Sequence, residues 1–168
     1  ECIPVGHSDG GTIALLFASH FPNMVRCAVT MAAHVFVEKE TLQGITQAKE
    51  VYQTSNWRDK LFKYHGEKTD SVFYAWADTW LSPEFAAWNI EPELQAIQAP
   101  LLVMQGERDA YGTARQVESI VHNSGGPAFA HWIPECGHVP YKEASAPVLQ
   151  TVTDFICTNL TPTKGSCL

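Results

Sequence analysis

The segment Gly6-His7-Ser8-Asp9-Gly10-Gly11 sets a serine between two glycines at the spacing Gly-x-Ser-x-Gly. The short apolar run Cys2-Ile3-Pro4-Val5 precedes it, and Thr12-Ile13-Ala14-Leu15-Leu16-Phe17-Ala18, rich in helix formers, follows. That order predicts a strand, a sharp turn and a buried helix. A serine at the tip of such a turn has strained backbone angles and a hydroxyl lifted clear of the main chain. The helix start aims N–H groups at the space where negative charge would develop, so Ser8 is placed to act as a nucleophile. Gly6 and Gly10 are expected where any side chain would collide with the neighbouring strand or helix. The same turn is expected to point His7 away from the serine.

A serine hydroxyl is a weak nucleophile at neutral pH and needs a base, itself oriented by an acid. Pro100-Leu101-Leu102-Val103-Met104-Gln105 reads as a buried parallel strand, and the polar turn Gly106-Glu107-Arg108-Asp109 leaves its C-terminal end. Open α/β sheets gather their sites at those ends. Asp109 is therefore the candidate acid, with Glu107 as the competing carboxylate. Phe129 to Pro134 reads as another strand, and Glu135-Cys136-Gly137-His138 is the turn that leaves it. His138, freed to bend by Gly137, is the candidate base among seven histidines. His20, His65, His122 and His131 read as surface or structural residues, and Cys136 as a packing residue.

These residues must be positioned by alternating strands and helices. A helix is expected over Asp9–Phe21, a strand over Val25–Met31, a helix over Thr113–His122, a turn at Asn123–Pro127 and a final helix over Ala146–Leu160. Pro4 predicts a break in the ladder of the first strand. Glu38 to Leu94 interrupts the alternation, with helices expected over Glu40–Gln53, Trp57–Tyr64, Asp70–Trp80 and Pro83–Trp88. The chain thus divides into a partial core (1–37), a helical insertion (38–94), a second core segment (95–160) and a polar tail (161–168). His34, at the end of a strand, either touches substrate or caps an entrance. Phe73, Trp76 and Trp80 share one helical face by their spacing.

Gly-His-Ser-Asp-Gly-Gly, Gly-Glu-Arg-Asp and Gly-His-Val-Pro occur here in the order serine, acid, histidine, and from Val5 to about Leu160 the chain resembles the α/β-hydrolase superfamily. The resemblance implies an α/β-hydrolase fold, a mostly parallel sheet flanked by helices, with the helical insertion as a lid over the site. It implies Ser8 as nucleophile, Asp109 as acid, His138 as base and the N–H of Asp9 as an oxyanion-hole donor. The Asp9 carboxylate either caps the helix or attracts a cationic group. Trp76 and Trp80 would line an apolar substrate pocket or glue the lid helices together. The family places further strands and a second oxyanion donor before the elbow, so the sequence reads as the C-terminal part of such a protein, with an exposed strand edge. The implied chemistry is acyl transfer from a small-molecule ester to water, without cofactor or metal. Carbon–carbon bond hydrolysis, acyl transfer to another acceptor, perhydrolysis, ligand binding without turnover and an inert fragment stand as alternatives.

Eleven basic and 18 acidic residues give a net charge of −7 with no basic run, which argues against nucleic-acid binding. No apolar stretch reaches membrane-spanning length. Five scattered cysteines, Cys2, Cys27, Cys136, Cys157 and Cys167, form neither a disulfide framework nor a metal-ligand spacing, and fit reduced thiols in a cytoplasm.

Overall fold

The computed structural model describes residues 1–160, so the tail expected over 161–168 lies outside the described residues. In chain order the elements are β1 (Val5–His7), α1 (Asp9–His20), β2 (Ala28–Met31), α2 (Lys39–Thr54), α3 (Trp57–His65), α4 (Thr69–Leu81), α5 (Glu91–Leu94), β3 (Leu101–Gly106), α6 (Ala114–Asn123), β4 (Ala128–Ile133), α7 (Pro140–Glu143) and α8 (Ser145–Leu160). They form two compact units. One holds Glu1–Val35 together with the residues from Ile90 onward, and the other is Phe36–Asn89.

The first unit is a parallel four-stranded sheet in the order β1-β2-β3-β4. The central strands Ala28–Met31 and Leu101–Gly106 are buried at every position, as expected of strands covered on both faces, whereas β1 and β4 are partly exposed. Val29 and Met31 of β2 and Leu102 and Met104 of β3 form a core with Ile133, Cys136 and Val148, and α8 closes it with Val152 and Phe155. Helix α1 packs on β1 and β2, and α6 on β3 and β4.

The first strand forms later than the sequence predicts. Cys2 pairs with Val25 in an isolated bridge, but Val5 pairs with Val29, so one extra residue is accommodated on the partner side between them. Pro4, which has no N–H to give the ladder, sits in that irregular stretch and uses its carbonyl to accept from the Val29 N–H at 2.9 Å. The strand expected from Val25 likewise starts only at Ala28.

The second unit is helical. Tyr52 of α2 stacks on Phe73 of α4, with ring centroids 3.8 Å apart. Tyr52 donates to the Asp70 carboxylate at 2.6 Å, and Arg58 of α3 grips the same carboxylate through Nε and Nη2 at 2.9 and 2.7 Å. Pro83–Trp88, expected as a helix, is instead a run of turns closed three residues apart. The Ser82 hydroxyl accepts from the Phe85 N–H at 3.2 Å, and Trp80, Phe85 and Trp88 pack on one another, which fixes the segment without a regular helix. Ile90–Leu94, assigned to the insertion by the sequence, belongs to the sheet unit, where α5 packs on α1 and α6.

Hydrogen bonds from Arg58 and Tyr52 hold the Asp70 carboxyl down at about 2, whereas its ordinary value is 3.8. Its folded pKa is depressed, so its contribution to stability is present above the ordinary value and is lost as pH falls through about 2. Denaturant midpoints measured from pH 5 downward are expected to drop less steeply in Asp70→Asn than in the parent chain. Superimposable acid limbs would show that the network contributes nothing.

Candidate active site

Ser8 ends the short strand β1 and starts α1, with φ 53° and ψ −125°. An L-residue rarely adopts these angles, and they hold only because the chain is fixed on both sides. The Ser8 N–H donates to the Met31 carbonyl at 2.8 Å, and its own carbonyl accepts from the N–H groups of Gly11 and Thr12 at 2.8 and 3.1 Å. A Cβ on Gly6 would lie 2.0 Å from the Gly10 carbonyl oxygen, so Gly6 is required for the helix to start so close to the strand. Gly10 itself is different from the expectation: apart from its own helix and chain neighbours, nothing among the described residues lies within 4 Å of a Cβ built there. The second tight position is Gly11, whose Cβ would meet that of Ala33 at 2.8 Å. Helix α1 turns its Gly11 side to the sheet, and Gly10 falls one residue off that face.

Asp109 leaves the end of β3, and its side chain is 1% exposed. The Tyr111 N–H donates to Oδ1 at 2.8 Å, and Gln105 Nε2 donates to Oδ2 at 2.8 Å. His138 Nδ1 lies 2.9 Å from both oxygens. Glu107, the competing carboxylate, is exposed. An open cleft of about 470 Å³ at the ends of β3 and β4 reaches Asp109 and is lined by Gln105, Thr113 and Trp132 among others.

His138 is brought back over the sheet by a close backbone approach. A Cβ on Gly106 would lie 2.2 Å from the Gly137 carbonyl oxygen and 2.4 Å from that of Cys136. The glycine lets the two turns touch, and the Arg108 N–H donates to the Cys136 carbonyl at 2.8 Å across the contact. A carboxylate can only accept, so His138 Nδ1 carries the proton and Nε2 offers its lone pair. Nε2 lies 3.0 Å from Ser8 Oγ, whose hydroxyl donates to it. The three side chains thus form one hydrogen-bonded line, Ser8–His138–Asp109.

His7 turns to the histidine loop. Its Nε2–H donates to the carbonyl of His138 at 2.6 Å, and its ring lies 5.0 Å from the His138 ring and 5.2 Å from Tyr141. Burial holds the His7 pKa below the ordinary 6.5, against the hydrogen bond to His138, which acts to raise it. Cys136 is buried in the core, and burial pushes its thiol pKa up, which suits a packing residue.

A family model described as the alpha/beta hydrolase fold matches residues 3–89. The chain belongs to that family. No curated protein matches the sequence. Similar solved structures include NosK from Streptomyces actuosus (17% identity, TM-score 0.74, covering 94% of this chain and 69% of that one). A thermophilic esterase from Thermogutta terrifontis is similar too (18%, 0.65, 96% and 66%), as is a bacterial membrane phospholipase A (22%, 0.73, 94% and 57%). The chain therefore spans 57% to 69% of the length of these hydrolase-fold neighbours.

Against this alpha/beta hydrolase frame the remaining candidates fall in different places. Asp9 opens α1, where its carboxylate sits in the first turn and is favoured by the helix dipole. His34 follows β2, is 3% exposed, and has its ring 6.0 Å from that of His138. The Thr12 hydroxyl donates to the His34 carbonyl at 2.6 Å and pins it to α1. Trp76 and Trp80 lie in α4. Trp80 is buried and packs on Phe85 and Trp88, and Trp76 packs half-buried on Phe73. Gln105, Gln116, His7 and Glu143 were not singled out as site residues by sequence. Gln105 was detectable as a polar residue in an otherwise apolar strand. Gln116, fully buried, accepts the Val35 N–H at 2.8 Å. Among the described residues no group of three or more His, Cys, Asp or Glu side chains is placed to hold a metal ion, and no helix is long and apolar enough to cross a membrane.

Two stability measurements check this geometry. Gly6→Ala is expected to destabilise the chain by several kcal/mol, since backbone rather than a mobile side chain must give way, whereas Gly10→Ala is expected to be neutral or stabilising by up to ~1 kcal/mol. Equal losses in urea unfolding would contradict the close approach at Gly6. Ser8→Gly is expected to be more stable than Ser8→Ala by about 1 kcal/mol, because glycine releases φ strain that alanine keeps. A Ser8→Gly melting temperature no higher than that of Ser8→Ala would mean that the elbow stores no strain.

Proposed function

We propose that this chain carries the catalytic centre of a serine hydrolase that cleaves a small carboxylic ester through an acyl-enzyme. The observation that supports this most is the His138 imidazole, engaged at Nε2 by the Ser8 hydroxyl at 3.0 Å and at Nδ1 by the Asp109 carboxylate at 2.9 Å. Ser8 Oγ attacks the carbonyl carbon while His138 Nε2 takes its proton. Asp109 fixes the tautomer and stabilises the imidazolium that forms. The N–H of Asp9, next to the nucleophile, is one donor to the oxyanion of the tetrahedral intermediate. The leaving alcohol receives the proton from Nε2. Water then attacks the acyl carbonyl, with His138 again as base, and Ser8 is regenerated.

Each part answers a physical need. Asp109 accepts three donors and is shielded from water, so its charge is held on His138 and not dispersed in solvent. His34, whose ring lies 6.0 Å from that of His138, is read here as a candidate contact for the acyl or alcohol group of a bound ester. Trp76 and Trp80 are assigned no contact with substrate in this reading.

Reaction of the chain with a fluorophosphonate, read by intact mass, is expected to give one adduct. Ser8→Ala abolishes it, and His138→Ala slows labelling and the hydrolysis of p-nitrophenyl esters by about 10³-fold or more. An adduct of unchanged rate in Ser8→Ala would overturn the proposal.

A further inference from the structure

His138 stands in neither strand nor helix, so no regular ladder fixes its main chain. Two side chains do so. The Glu143 carboxylate accepts the Gly137 N–H on Oε2 at 2.7 Å and the Val139 N–H on Oε1 at 2.9 Å, one on each side of His138. The carbonyl of His138 itself accepts from His7 Nε2–H at 2.6 Å. Glu143 is anchored in turn, because its own N–H donates to the Val139 carbonyl at 3.0 Å. Gly137 matches this grip: a Cβ there would stand 3.0 and 3.2 Å from the two Glu143 oxygens. His7 immediately precedes Ser8, so its hydrogen bond ties the main chain of the histidine loop to that of the elbow. Neither His7 nor Glu143 hydrogen-bonds a ring nitrogen of His138, whose partners are Ser8 and Asp109.

We propose that His7 and Glu143 are positioning residues that grip the main chain around His138 from both sides and thereby set the distance from its Nε2 to Ser8 Oγ. The proposal rests on the reading of His138 as the base. A hydroxyl-to-imidazole hydrogen bond of 3.0 Å does not survive a main-chain shift of about 1 Å, a displacement that typically lowers turnover by about 10²-fold. Because both residues act on the main chain that carries the base, the loss belongs in kcat and not in KM. The chemistry of each grip also differs. His7 acts as a single N–H donor, which a glutamine amide reproduces. Glu143 acts through two acceptor oxygens, of which a glutamine keeps one.

The test uses the full chain with p-nitrophenyl acetate, together with the proton NMR signal of the His138 Nδ1–H bound to Asp109. His7→Leu and Glu143→Ala are expected to lower kcat about 10- to 100-fold with KM within about twofold, and to broaden the downfield signal at temperatures where circular dichroism is unchanged. His7→Gln is expected to recover activity and the sharp signal, and Glu143→Gln to fall between parent and alanine variant. Parental kcat and an unchanged signal in His7→Leu and Glu143→Ala overturn the proposal. So does a loss that follows thermal stability alone and is not recovered by His7→Gln. His138→Ala is measured alongside. If it is inactive while the other variants match the parent, only the positioning role fails. If it turns over like the parent, the reading of His138 as base fails and the positioning role with it.

Discussion

The imidazole of His138 hydrogen-bonds the ends of two strands that are not its own, β1 through Ser8 and β3 through Asp109. Two hydrogen bonds of 3.0 and 2.9 Å on one rigid ring leave little tolerance, so β1 and β3, with β2 between them, must end at the same level of the sheet. The parallel sheet does this through its register. His7 pairs with Met31, Met31 with Met104 and Met104 with His131, so all four strands deliver their following turns to one edge. The loop from β4 then has to come back across the end of β3, and the contact of Gly106 with Cys136 and Gly137 is where the backbone makes that return. Replacing the glycine would push the histidine turn outward before any side chain of the site was touched.

The same line of hydrogen bonds settles an electrostatic problem. A carboxylate that is 1% exposed is costly unless its oxygens are satisfied. Asp109 is satisfied by three N–H donors, one from its own turn, one from Gln105 and one from His138. Gln105 is buried in the middle of the sheet unit and needs acceptors as much as Asp109 needs donors, and the Asp109 carboxylate and Gly112 carbonyl supply them. The polar residue in the apolar strand is therefore part of the architecture that keeps the charge buried.

What could be read from the sequence follows from this arrangement. Ser8, Asp109 and His138 each follow an apolar run and a glycine, so strand ends and turns mark them without knowledge of tertiary contacts. The fold class follows in the same way, because β2 and β3 are predominantly apolar and the helices are periodic. The grips on the histidine loop are not legible, because they join residues by main-chain acceptors and donors, which carry no sequence signal. His7 could be placed beside Ser8, but the direction of its ring depends on a carbonyl 131 residues away. Gly10 illustrates the reverse case: a motif position that looks obligatory has open space around it here, and Gly11 bears the contact with Ala33. Pro83–Trp88 departs from the expected helix because, although its aromatic spacing suits one, Ser82 and the packing of Trp80 on Phe85 and Trp88 favour turns.

Strain in the main chain is distributed with the same logic. Among the described residues the non-glycine residues with positive φ are Ser8, Ala32 and Glu135, and all three follow the C-terminal ends of strands, on the side where the site lies. Each of the first two keeps one ladder bond before the chain turns: Ser8 N–H to Met31 and Ala32 N–H to Met104, at 2.8 and 2.9 Å. Glu107, just past β3, does likewise with Ile133 at 3.1 Å. A residue stapled to its neighbour through its own N–H can be forced into an unfavourable φ immediately afterwards, because the strain cannot relax by sliding the strand. The fully buried β2 and β3 hold those staples in place. The energy that fixes Ser8 and Ala32 is thus drawn from the apolar core beneath them, and of the three reactive side chains it is the nucleophile, Ser8, that stands on strained backbone, bonded to the fully buried strand β2.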